Sequence, residues 1–481
     1  MSLSILILIL IIYLSALLLI SKITSARSIS TTYFDGNHKS PWYLVAFGMI
    51  SSGISAVSLV SIPGNVGNEH LYFFQFILGT IAGYLIIAFW ILPIFHKHGL
   101  ISLYQYLERR FGKASYKTGA VIFLISQSFG AALRLLLSVK ILQTAFFDQL
   151  GIPHTVTILL VLILIWVYTH RSGIKTIVYT DALQSVLLIL VIIISIIMMK
   201  DGLNLSFREM ISSIFRSPMA KWFDWNWNSG TYIGKQFISG MLITIALVGL
   251  DQSMMQKTLT VEGTRDAQKN VITFSLLIAF AQTLFLCMGV LMYLFIANHQ
   301  IPLANDHGHL VQTDSVYPML AQNYLGKIGA IAFFIAVIAS TFATIDSCIT
   351  ALTTSMCYDI FSIETNARED QRKIKLTSLL IVNTILFIIV LSFWNSKGAI
   401  ISQIFTIAGY TYGPLLGLFS LGFLSKVKLK ESWVPWICIV APLITFWLCE
   451  FLLPKIGFDA GFINIMINAL ITIVFLLFIK K

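Results

Sequence analysis

Apolar residues along this chain follow neither the two-residue alternation of a half-buried strand nor the 3.6-residue rhythm of a surface helix. They come in unbroken runs of around twenty, the length a helix needs to cross a bilayer. We read thirteen spans, at approximately 3–21, 42–63, 71–95, 119–148, 154–170, 176–199, 236–256, 270–296, 328–358, 376–394, 399–425, 432–453 and 460–479. The predicted fold is an all-α polytopic membrane protein. The first run has no basic residue before its apolar core, and that core is too long for a secretory leader, so it reads as a retained helix.

Composition agrees: 57% of the 481 residues are hydrophobic and 11% charged, against roughly 25% charged in a soluble domain. The net charge of +11 does not point to nucleic acid, because the basic residues lie in short connections between spans. One alternate set of connections holds 22 Lys and Arg, with Lys257, Arg265 and Lys269 among them, and the other holds 8. By the positive-inside rule the N-terminus lies outside an integral plasma (inner) membrane and the C-terminus in the cytoplasm. The five cysteines fall in or at the ends of apolar runs without a CxxC pair, as small buried residues do. Connections 200–235 and 297–327 are too short for a catalytic domain; the aromatics of Lys221–Asn228 read as an interfacial belt. There is no HExxH, Walker loop or GxSxG, so an enzyme is not expected, and no cofactor.

A charge in hydrocarbon costs at least ~2.5–3.5 kcal/mol, so the ionisable residues inside spans mark function. They are Arg134, Lys140, Asp181, Asp251 and Asp346. Lys140 lies nearer a span end and snorkels; Arg134, Asp181 and Asp346 need partners, water or an ion. Four serines and a glycine crowd Met49–Ser58, followed by Pro63 and Gly64. Close helix packing and a broken helix whose freed carbonyls line a site both account for that composition. In the ninth span Ser340, Thr344, Ser347 and Ala351 share one face within about 60°, with Asp346 on its flank. Hydroxyls beside a carboxylate suit a hard cation such as sodium.

At these residues the chain resembles the sodium:solute symporter family, whose members carry sugars, proline, pantothenate or sialic acid. The resemblance rests on Ser51–Ala56, Tyr104–Phe111, Gly173–Gln184, Gly249–Gln252, Ala343–Thr354 with Tyr358–Phe361, and Gly409–Gly417, in order along the chain. It implies a LeuT-like architecture. Residues 42–199 and 236–425 would form two inverted five-helix repeats, each opening with a broken helix, and 3–21 and 432–479 would be peripheral. For the second repeat the break would lie near Gly240, Gly249 and the Asp251–Gln252 pair. The resemblance also implies a sodium site from the carbonyls of Ser51, Ile54 and Ser340 and side chains at 343 and 344. Thr344 fits that pattern, whereas Ala343 has no hydroxyl to offer. A second cation or proton site would involve Asp181, Asp346 and Ser347, and the solute would meet Ser55, Ser58, Arg134 and Gln252.

The expected activity is sodium-coupled import of a small polar solute by alternating access, with sodium as the coupling ion and the lipid bilayer as surroundings. A proton-coupled carrier of the same fold is the nearest rival; a channel or a non-transporting receptor is the rival from another class. Each sodium moving inward gains about 2.3 kcal/mol per 100 mV. Arg134 resembles an arginine that receives the substrate carboxylate in sialic-acid members, which makes the expected solute anionic; pairing with Asp181 or another buried acid is the plainer role. Two carboxylates in one desolvated region cannot both be charged cheaply. A sodium ion or Arg134 would hold Asp181 and Asp346 charged; otherwise Asp346 keeps a proton and becomes a candidate proton carrier.

Overall fold

The computed structural model describes residues 40–98, 102–169, 174–303, 312–363, 368–396 and 399–481, and positions 8, 11–17, 19, 20, 305, 306, 309 and 310. The principal helices, in chain order, are α1 (Trp42–Gly53), α2 (Ala56–Glu69), α3 (Phe73–Ile86), α4 (Lys113–Leu142), α5 (His154–Thr169), α6 (Ile174–Gly202) and α7 (Ile233–Thr244). They continue as α8 (Gln252–Leu259), α9 (Gly263–Asn298), α10 (Gly326–Ser355), α11 (Arg368–Ser392), α12 (Ile400–Leu424), α13 (Val434–Trp447) and α14 (Asn464–Phe478).

Nine helical stretches among the described residues are long and apolar enough to cross a membrane, and two bent pairs raise the number to eleven. The span expected at 154–170 is α5, a shorter helix of 16 residues. The span expected at 3–21 is described only in part, at positions 8, 11–17, 19 and 20, all helical; they place Tyr13 where its hydroxyl accepts from Gln184 Nε2 at 2.6 Å. The expected thirteen is therefore not reached among the described residues.

The two bent pairs share one design. Between α1 and α2 the axis turns by 60°, because Ile54 (φ −101°, ψ 97°) and Ser55 (φ −84°, ψ 171°) are extended. Gly53 and the flanking serines are weak helix formers, so interrupting the helix here costs little. Between α7 and α8 the axis turns by 65°. There a π turn, Ile245–Gly249, ends α7, and Asp251 (φ −100°, ψ 125°) restarts the helix by accepting from Ser253 N at 2.8 Å. That bond satisfies one of the donors a helix start leaves bare. The packing around the two pairs is related: α3 lies along α7, and α9 lies along α1 and α2. Helix α10 packs against α6, α4 and α1, and is buried over most of its length.

Gly240 serves packing rather than a break. A methyl group there would collide with Phe76 O, and one at Gly79 with Phe237 O. Helices α3 and α7 thus meet backbone to backbone, as small residues allow in membranes. Neither carbonyl can move aside, so Gly240→Ala is expected to cost about 1–3 kcal/mol, read as a lower Tm in detergent. Gly130→Ala, whose methyl would meet nothing nearer than 3.8 Å, leaves Tm unchanged; equal shifts for both would refute the close approach.

The connection between α6 and α7 carries a short helix, Phe207–Arg216, started by a Ser206–Glu209 capping box. Its aromatic stretch folds back on α3. Asp224 N donates to Gln75 Oε1 at 3.0 Å, Gln75 Nε2 donates to Thr231 O at 2.9 Å, and Trp222 packs edge-on to Phe74. Trp225 and Trp227 remain exposed. All five cysteines are free, four of them buried.

Candidate functional site

The break between α1 and α2 faces α10 and α4 across a cavity of about 120 Å³. Its polar lining includes Ser55, Ser58, Gln127, Arg134, Thr344 and Ser347. Gln127 and Arg134 are two helical turns apart on α4 and so present one face. Gln127 is tied into the second break: its Nε2 donates to Ser253 Oγ at 2.9 Å, and its Oε1 accepts from Tyr412 at 3.4 Å. The one Tyr412 hydroxyl proton points mainly to Asp251 Oδ2, at 2.6 Å, the shorter of its two contacts. Asp251 is therefore spent on capping α8 and on this network.

Arg134 makes one weak polar contact, to Cys348 Sγ at 3.9 Å, and no ion pair among the described residues. The internal pair considered from sequence is not made, because Asp181 has a different partner. Gln252, expected at the solute, is turned away from the cavity. It follows the Asp251 cap directly, faces the 102–104 turn, and its Oε1 accepts from Leu103 N at 3.2 Å.

The residues expected around sodium lie on the packed faces of α1 and α10. Ser51, Ile54, Ser340, Ala343 and Thr344 are all buried. The carbonyls at the end of α1 lack helical partners because the helix stops there. Ser340 Oγ donates to Val337 O at 3.2 Å, which leaves its role to the main-chain carbonyl. Thr344 Oγ1 is buried without a hydrogen-bond partner among the described residues. An unpartnered buried hydroxyl costs roughly 1–3 kcal/mol, a cost a bound cation would remove. Ala343 offers no side-chain oxygen, and Ser347 Oγ donates to its carbonyl at 2.8 Å.

The second cluster holds a residue that sequence did not single out. Lys257, assigned by the charge count to a loop, is 1% exposed and sits on α8 inside the protein. Its Nζ donates to Asp181 Oδ2 at 2.5 Å, Ser52 Oγ at 2.5 Å and Ser347 Oγ at 2.7 Å. Asp181 is thus neutralised by Lys257 and not by Arg134. Asp346 is buried next to this group; its Oδ1 lies 3.2 Å from Ser347 Oγ, whose proton goes to Ala343 O, and its Oδ2 has no hydrogen-bond partner among the described residues. Removing Lys257 from the count leaves the basic bias unchanged in direction. No group of three or more His, Cys, Asp or Glu is placed to hold a metal among the described residues.

Comparison with known proteins adds the following. The model of the sodium:solute symporter family matches residues 33–430. The sodium/sialic acid symporter SiaT of Proteus mirabilis is 24% identical over 427 residues, covering 86% of this chain and 83% of that one. The sodium/sialic acid symporter NanT of Aliivibrio fischeri is 23% identical over 422 residues, covering 85% and 81%. Among solved structures, a substrate-bound, outward-open Na+-coupled sialic acid symporter, reported as revealing a novel Na+-site, superposes with a TM-score of 0.82. The two share 20% identity over 98% of each chain.

Proposed function

The chain belongs to the sodium:solute symporter family and is a sodium-coupled symporter of the LeuT-like fold rather than an enzyme; we propose that it imports a small anionic organic solute. The observation that carries the anionic reading is Arg134, whose guanidinium lines the central cavity with no acid paired to it among the described residues. A guanidinium matches a carboxylate in two parallel hydrogen bonds. Hydroxyls of Ser55 and Ser58 on one wall and the rings of Tyr84 and Phe405 on another suit a polyol with an apolar ring face. A sugar acid such as sialic acid, carried by the relatives named above, has that chemistry.

In this reading the carbonyls of Ser51, Ile54 and Ser340 and the hydroxyl of Thr344 hold one sodium ion. The ion orders the end of α1 against α10, beside the cavity, so sodium and solute each raise the other's affinity by linkage. Residues 42–199 and 236–425 act as two repeats that rock about this site, with the N-terminus outside and the C-terminus in the cytoplasm. The electrical gradient then favours inward flux.

A ligand that binds only the folded protein stabilises it by mass action, about 2.7 kcal/mol at a hundred times its Kd. Purified protein heated with N-acetylneuraminate, glucuronate or gluconate is therefore expected to show a raised Tm in sodium chloride and none in potassium chloride. N-acetylmannosamine and glucose, which lack the carboxylate, leave it unmoved. A neutral sugar stabilising as strongly as the best acid would overturn the anionic reading.

A further inference from the structure

Lys257 is the only lysine or arginine among the described residues that is both 1% exposed and bonded to three side chains from three other helices. Asp181 comes from α6, Ser52 from α1 and Ser347 from α10; Lys257 itself is on α8. The direction of each bond identifies the species at the centre. Ser52 Oγ donates its own proton to Asp181 Oδ2 at 2.9 Å, and Ser347 Oγ donates to Ala343 O at 2.8 Å. With both hydroxyl protons committed and the carboxylate able only to accept, all three bonds at Nζ are given by the nitrogen. A side-chain ammonium has three N–H donors, and here each meets one oxygen.

An anionic oxygen and two hydroxyl oxygens around one point, in a water-poor interior, form a cage for a monovalent cation. We propose that Lys257 is a tethered cation filling a second cation site, so that this transporter couples solute to one mobile sodium ion rather than two. The ammonium supplies the positive charge that Asp181 requires to be buried, and it sits where an ion would have to sit to touch the same three oxygens. Two positive charges cannot share that cage in a low-dielectric interior. Sodium is thus confined to the Thr344 site, and the inference rests on that site as described above.

The oxygens left over are Asp181 Oδ1 and Asp346 Oδ2, both buried without hydrogen-bond partners among the described residues. A second mobile sodium in the wild type would have to use them, which makes the alternative countable. Equilibrium binding of radioactive sodium to the purified full-length chain, with no solute present, counts the sites directly. The wild type is expected to saturate at one ion per chain, and Thr344→Val to stay less than half filled at the lowest sodium concentration that fills the wild type. Lys257→Ala empties the cage and should double the count to two, and adding Asp181→Asn to it should return the count to one. Two ions in the wild type, or one in a Lys257→Ala protein that still unfolds cooperatively, overturns the proposal. If Lys257→Ala does not fold, Thr344→Val decides at that same sodium concentration: occupancy below one half supports the proposal, and full occupancy overturns it. Because no solute is present, failure of the anionic-solute reading cannot alter these counts, whereas a wild-type count of zero removes the sodium site itself.

Discussion

Thr344→Val removes most sodium-stimulated uptake in reconstituted vesicles at sodium concentrations that just saturate the wild type, while the protein keeps its fold. The substitution is nearly isosteric and removes an oxygen that makes no hydrogen bond among the described residues, so no contact within the protein is lost. Valine also removes the cost of burying a bare hydroxyl, and Tm without sodium is expected to stay level or rise. With sodium the balance reverses. Losing one ligand, valued like a hydrogen bond to a charged group at about 1.5–3 kcal/mol, lowers sodium affinity roughly ten- to a hundred-fold. Sodium activation measured in vesicles at equal solute concentrations is the check. An unchanged activation curve means that Thr344 is a packing residue.

Arg134→Gln is expected to weaken the best carboxylate ligand by more than about thirty-fold, since truncating one member of a buried charge pair costs about 2–5 kcal/mol. Arg134→Lys keeps the charge but not the planar fork, so its loss should be intermediate. The binding of a neutral analogue should be nearly unaffected by either change. In hydrocarbon an arginine without a partner is costly. Its nearest polar contact is Cys348 Sγ at 3.9 Å, so emptying the position does not strand a buried acid, and the variants should fold. If Arg134→Lys keeps the affinity within a factor of two, the carboxylate is held elsewhere.

Most spans were legible because an apolar run of membrane length has few other uses. The break at Ile54–Ser55 was legible in the crowd of serines and Gly53, residues that interrupt a helix at small cost. The second break was less so, because Gly240, which draws the eye, serves the contact with α3, while the break itself lies at Leu250–Asp251. Asp251 looked like a functional charge for the same reason that it is a good cap: it is an acid at a helix start far from water. Lys257 was hidden by its position. It follows the last apolar residues of its run, where a lysine ordinarily marks the exit to water. Only the turning of α8 back among α1, α6 and α10 shows that this lysine points into the protein. Gln252 misled in the opposite sense, since neither its rotation about α8 nor the 102–104 turn it faces is written in local pattern.

The backbone contact between α3 and α7 has a mechanical consequence. Helices that touch carbonyl to glycine cannot slide along one another without lifting apart, so this pair bends and translates as one stiff beam. Compliance then has to collect elsewhere. The candidates are the short stretches at Ile54–Ser55 and Leu250–Asp251, where Ile54, Ser55 and Asp251 are already extended and Leu250 lies outside helical geometry. A molecule of 481 residues thereby places most of its give in two pins, each at the edge of the cavity, where a small rotation changes which side the cargo can leave by.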